Sequence, residues 1–202
     1  MLDSYLRQPI DRFFQASESL LRRLPIKANT VTLLGVLLVP ALVASVAYGA
    51  FFLALSLIVL NRIFDGLDGA IARLNGATDF GGYSDIVADF IFYASIPVAF
   101  ALYDPSNNAL PSVLLLASFI ASSSSFLAYA IIAAKRGLET SAQGKKSFFY
   151  LAGLIEGTET ILFCLLVCFL PNFYAELAFG FAGLCGLSAF GRVILAYRDF
   201  CD

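Results

Sequence analysis

Six apolar runs, each near the roughly 20 residues a helix needs to cross a bilayer, set the limits on how this chain can fold. They cover residues 30–48, 51–72, 82–103, 111–134, 147–170 and 174–195. In hydrocarbon every backbone N–H and C=O must find its partner within its own segment, so runs of this length fold as helices. The expected fold class is all-α, a six-transmembrane-helix bundle. Composition agrees, because 59% of the residues are hydrophobic against roughly 45–50% in soluble domains.

The polar remainder sets the orientation. Five basic residues (Arg7, Arg12, Arg22, Arg23, Lys27) precede the first run, and Arg62 and Arg73 end the second. Lys135, Arg136, Lys145 and Lys146 lie between the fourth and fifth, and Arg192 and Arg198 close the sixth. All 13 basic residues fall on one side, and the opposite loops, 103–110 and 171–173, contain none. The positive-inside rule places that side, with both termini, at the cytoplasmic face, as in a cytoplasmic (inner) membrane protein. Residues 1–25 do not read as a cleavable signal, lacking a basic start followed by a continuous apolar run. Leu2, Leu6, Ile10, Phe13, Phe14, Leu20, Leu21 and Leu24 instead recur at mostly helical spacing among charges, as in an interfacial amphipathic helix. The expected division is a juxtamembrane helix over 1–28 and one membrane domain over 29–202.

A net charge of −2 points away from nucleic acid, and the absence of histidine removes the commonest general base. Cys164, Cys168, Cys185 and Cys201 lie in or near apolar segments and read as small hydrophobic side chains without a role.

Carboxylates are the exception to the apolar pattern. Asp65 and Asp68 are spaced i,i+3 and Asp85 and Asp89 i,i+4, so each pair lies on one face of its helix. Charges at membrane depth are costly and mark function. Four carboxylates in one helical hairpin repel unless something positive sits among them, and hard divalent cations take oxygen ligands of this kind. The plain alternative is a buried charge network that only holds helices together.

The full pattern is Asp65-x2-Asp68-Gly69-x2-Ala72-Arg73-x7-Gly81-x3-Asp85-x3-Asp89. It resembles the signature of the CDP-alcohol phosphotransferase family, with every position filled. Asn29 and Thr32 at the start of the first span are similar to a second, weaker family feature, although Asn29 is also a plausible helix N-cap. The resemblance implies an enzyme in which an acceptor hydroxyl attacks the phosphorus of a CDP-linked alcohol, releasing CMP. It implies that Asp65, Asp68, Asp85 and Asp89 hold magnesium or manganese, as two ions. Asn29, Thr32, Asp68, Gly69, Ala72, Arg73 and Gly81 would receive the nucleotide. Gly69 and Ala72 would give clearance, and Arg73 would fork onto a phosphate. Asp89 is the best candidate for the base. A homodimer is also implied.

A membrane-embedded site suits CDP-diacylglycerol as donor and a small polar alcohol as acceptor. Lys135, Lys145 and Arg192 could receive a phosphorylated acceptor such as glycerol 3-phosphate, or merely obey the positive-inside rule. Glu156 and Glu159 read as lying two to three turns into the fifth span. They could bind an amine-bearing acceptor such as serine, or pair with Arg192. Inositol, its phosphate or another alcohol is the alternative acceptor for the same chemistry. Ser122 to Ser125 could line a polar cavity or permit close packing, and Ala178, Ala182 and Gly186 form a small-residue row suited to helix packing or a dimer. A divalent-ion transporter is the rival class. It would place carboxylates near mid-bilayer on broken helices in paired halves, and no internal repeat is visible. An assembly protein would need no metal site.

Overall fold

The computed structural model describes residues 26–137 and 155–201. Within them the chain is helical and contains no strand: α1 (Ala28–Ala47), α2 (Phe51–Asn75), α3 (Asp79–Tyr103), α4 (Pro105–Lys135), α5 (Gly157–Phe169) and α6 (Tyr174–Phe200). A single 3-10 turn, Pro171–Phe173, links the last two. The amphipathic helix expected over 1–28 lies outside the described residues apart from its last three positions. Lys145, Lys146 and residues 147–154 of the fifth span lie outside them as well.

Among the described residues, four helical segments are long and apolar enough to cross a membrane: Ala28–Ala47, Asp79–Tyr103, Pro105–Lys135 and Pro171–Phe200. The second and fifth of the six expected spans do not stand among these four. Helix α2 carries Arg62, Asp65, Asp68 and Arg73 in its second half, and the described part of α5 has 13 residues.

Local chemistry explains the boundaries. The α1–α2 turn closes on Gly49 at φ 75°, with its N–H donating to the Val46 carbonyl. A left-handed φ of this kind favours glycine. Gly76, at φ 95°, ends α2 in the same way. Thr78 then caps α3, its hydroxyl accepting from the Gly81 N–H at 3.0 Å. The loop expected over 103–110 is helical instead. Asp104 accepts from the Asn107 N–H and Pro105 fills the first helical position, so only Asp104 separates α3 from α4.

Helix α1 packs on both α2 and α3, α3 on α4, α4 on α6, and α2 on α5. The core between them holds Leu42, Ile58, Phe92, Phe100, Leu115 and Phe163, all buried. Phe100 and Tyr174 stack with centroids 4.1 Å apart, and the Tyr174 hydroxyl meets Ser112 at 2.7 Å. Large apolar side chains such as Leu37, Phe52, Ile120 and Phe190 remain exposed, as expected for a surface that faces lipid. At the far end of α4 and α6, Arg136 donates to the Asp199 and Phe200 carbonyls at 3.2 and 2.9 Å, and Tyr129 donates to Asp199. Those carbonyls belong to the last turn of α6, where no helical N–H can reach them.

Candidate active site

Because α2 and α3 both lean on α1, a cleft opens between them with α1 as its floor. Thr32, Gly35 and Val36 of α1, Asn61, Arg62, Asp65 and Asp68 of α2, and Ala88 of α3 line it. A small apolar cluster of Val31, Ala70 and Ile71 braces α1 against the charged end of α2.

The four aspartates occupy unlike environments. Asp68 is buried, and its Oδ2 accepts from the Thr32 hydroxyl at 2.5 Å. Asp65 is about a third exposed and faces Arg62 at 3.6 Å. Asp89 accepts from Arg62 Nη1 at 2.7 Å across the cleft. Asp85 is exposed on the first turns of α3. The positive charge that the carboxylates require is thus present in the chain, as the guanidinium of Arg62.

Nucleotide candidates come together in two groups. Thr32 meets Asp68 directly. Asn29 and Gly81 face one another across α1 and α3: a Cβ at position 81 would stand 2.9 Å from Thr78 Oγ1 and 3.2 Å from Asn29 Oδ1. The α1 cap is Lys27 rather than Asn29, which lies in the first turn. Gly81 likewise lies within α3 and is small for the sake of these neighbours, while the chain reversal belongs to Gly76. Gly69 and Arg73 share a patch, since a Cβ at 69 would come within 3.4 Å of Arg73 Nη1. Ala72 is half-buried one turn further on.

The acceptor candidates are more scattered. Lys135 is exposed at the end of α4. Arg192 is half-buried on α6, its Nη1 donating to both the carbonyl and the hydroxyl of Ser122 at 2.9 Å. Ser122 therefore holds an arginine, a use that helix packing alone would not require. Glu156 and Glu159 do not lie deep in a helix. They form a capping box that starts α5, with the Glu156 N–H donating to Glu159 at 3.1 Å. The negative charge of Glu156 also acts on Arg192. Of the small-residue row, Ala178 and Ala182 face the core, whereas Gly186 has open space beside it.

Sequence reasoning missed three contributors. Arg62 counted only as an orienting charge, yet it lies i,i+3 from Asp65 and so on the same face. Asn61 is buried and donates to the Gly35 carbonyl at 2.8 Å; a polar residue ending an apolar run was the available signal. Tyr93 carries the site toward α5, its hydroxyl within 3.3 Å of where a Cβ would stand on Gly157. Its spacing of i,i+4 from Asp89 was the clue.

The donor set suits a hard divalent ion: carboxylates from two facing helices, with Arg62 standing as a cation between Asp65 and Asp89. In their present positions no three acidic or cysteine side chains among the described residues converge on a common point.

A model of the CDP-alcohol phosphatidyltransferase family matches residues 26–189. That range takes in all four aspartates, Arg62, Arg73 and the α5 cap. Inner membrane protein YnjF of Escherichia coli (strain K12) is 42% identical over 197 residues, which is 98% of this chain and 96% of that protein.

Proposed function

The chain belongs to the CDP-alcohol phosphatidyltransferase family, and from that premise we propose that it moves a phosphatidyl group from CDP-diacylglycerol to the hydroxyl of glycerol 3-phosphate, releasing CMP. The observation that carries this reading is the α1–α2–α3 cleft, where Asp65, Asp68 and, through Arg62, Asp89 come together beside the Thr32–Asp68 hydrogen bond.

Asp65, Asp68, Asp85 and Asp89 are the residues that would hold magnesium or manganese, as two ions. Bound there, the metal supplies positive charge to the pyrophosphate and to the departing CMP. Arg73, beside Gly69, binds a phosphate of the nucleotide, where the absence of a side chain at 69 leaves room for it. Asn29 and Gly81 receive the cytidine end. Thr32 orients Asp68 by its hydrogen bond. Asp89 takes the proton from the acceptor hydroxyl, so that oxygen bonds to phosphorus as the bond to CMP breaks. The acyl chains stay in the bilayer beside the exposed apolar faces of the helices.

Glycerol 3-phosphate is favoured over serine by the capping box. Glu156 and Glu159 engage the backbone N–H groups that begin α5, which leaves Arg192 as the charged candidate in the apolar part of α6. The bundle would cross an inner membrane six times, with both termini and the cleft at the cytoplasmic face, as a homodimer. The thirteen one-sided basic residues and the printed description of YnjF support the placement. The test is CMP release by purified protein with CDP-diacylglycerol and magnesium across glycerol 3-phosphate, serine, inositol phosphate, inositol and choline. Release with glycerol 3-phosphate alone is expected. Release with serine alone would overturn the acceptor, and release with none would overturn the donor as well.

A further inference from the structure

Arg62 is gripped on every side, although the signature assigns it nothing. Its side chain is 15% exposed, deep in the cleft wall. Nε and Nη2 donate to Asn61 Oδ1 at 3.1 and 2.6 Å, and Asn61 is itself anchored on the Gly35 carbonyl of α1. The guanidinium carbon lies 4.1 Å from the centre of the Phe92 ring, which adds a favourable cation–π contact. The remaining nitrogen, Nη1, reaches Asp89 at 2.7 Å and Asp65 at 3.6 Å. One cation thus ties α2 to α3 through Asp89 and faces Asp65 on its own helix, engaging two of the carboxylates that the proposed reaction needs for metal.

The two uses conflict. Asp89 Oδ1 cannot accept from Nη1 and lie close to a divalent ion without bringing like charges within a few ångströms of each other. A neighbouring charge at that range moves an ionic equilibrium by roughly one to three decades. We propose that Arg62 is a resident counter-cation: it occupies the place between Asp65 and Asp89 when no metal is present, and metal binding is an exchange in which Asp89 leaves the guanidinium. The Asn61 fork and the Phe92 ring keep the displaced group at the cleft wall. The ion-free protein therefore keeps its carboxylate cluster neutralised and its helices joined. This inference rests on the metal reading of the proposed function.

The test measures manganese binding directly, from the electron paramagnetic resonance signal of free ion, in metal-stripped full-length protein. Arg62→Gln should bind manganese about tenfold or more tightly than wild type, because the competing charge is gone. In chelator the same variant should melt at a lower temperature than wild type, and manganese should raise its melting temperature by more. Arg62→Met removes the same charge and keeps an apolar stem against the Phe92 ring, so it should also bind more tightly; it carries the test should Arg62→Gln fail to fold. Unchanged or weaker binding in the folded variants overturns the exchange. CMP release on the same wild-type preparation separates the two claims. An active wild type with unimproved variants sinks the exchange alone, whereas a wild type that binds no manganese sinks the metal reading with it.

Discussion

Replacing Thr32 by valine should cost activity out of proportion to the change in shape. The Thr32 hydroxyl has one proton and two neighbours, Asp68 Oδ2 at 2.5 Å and the Ala28 carbonyl at 3.2 Å. The shorter contact to a charged acceptor takes the proton. Thr32 and Asp68 are both buried, at 9% and 4% exposure, so water does not replace a lost donor. Hydrogen bonds to charged groups contribute roughly 1.5–3 kcal/mol, and a buried partner left unpaired costs a similar amount. If Asp68 is held in its working orientation by this bond, kcat/KM for CMP release should fall about 10- to 140-fold at ~1.4 kcal/mol per decade. Thr32→Ser should recover most of the loss, because it restores the donor and removes only a methyl group. Thermal unfolding of the same samples checks that the bundle is intact. A folded Thr32→Val protein as active as wild type, beside an inactive Asp68→Asn protein, would show that the hydroxyl does not orient Asp68.

Other contacts give equally specific expectations. Gly81→Ala should push the Thr78 hydroxyl off its cap and cost about 0.5–2 kcal/mol, read as a lower melting temperature. In a Thr78→Ala background the same change should cost less, since one bond cannot be lost twice; full additivity contradicts this. Tyr174→Phe keeps the stack on Phe100 but leaves Ser112 unpaired in the core, a loss of about 1–3 kcal/mol that Ser112→Ala should partly restore. Melting curves of the two single variants and the double variant decide it. Arg192→Ala should collapse use of glycerol 3-phosphate, while Glu159→Ala should lower stability through the α5 cap without changing the preferred acceptor. CMP assays with each acceptor would refute the assignment if Arg192→Ala retained wild-type kcat/KM.

The all-helical fold was legible because hydrocarbon leaves a polypeptide so few choices. The starts of α2, α3 and α6 fall within three residues of the expected spans. The α3–α4 junction was not legible, because Asp104-Pro105 resembles a turn and only the backbone shows that it caps the next helix. Glu156 and Glu159 were misplaced for a related reason. A capping box needs the helix start to be known, and an apolar run does not mark it. At the site, the i,i+3 and i,i+4 spacings identified the aspartates, but the answer to their mutual repulsion lay one turn upstream in Arg62. Spacing along a helix predicts which residues share a face. It does not predict that Arg62 reaches across to Asp89 on a different helix.

Phosphorus NMR of CDP-diacylglycerol in liposomes carrying the purified protein, magnesium and glycerol 3-phosphate tests the central claim most directly. The account predicts that the pyrophosphate signals give way in equal measure to a new lipid phosphodiester and to CMP, and that Asp68→Asn leaves them unchanged. Pyrophosphate that persists with wild-type protein, or that yields CMP with phosphatidic acid and no diester, would contradict it.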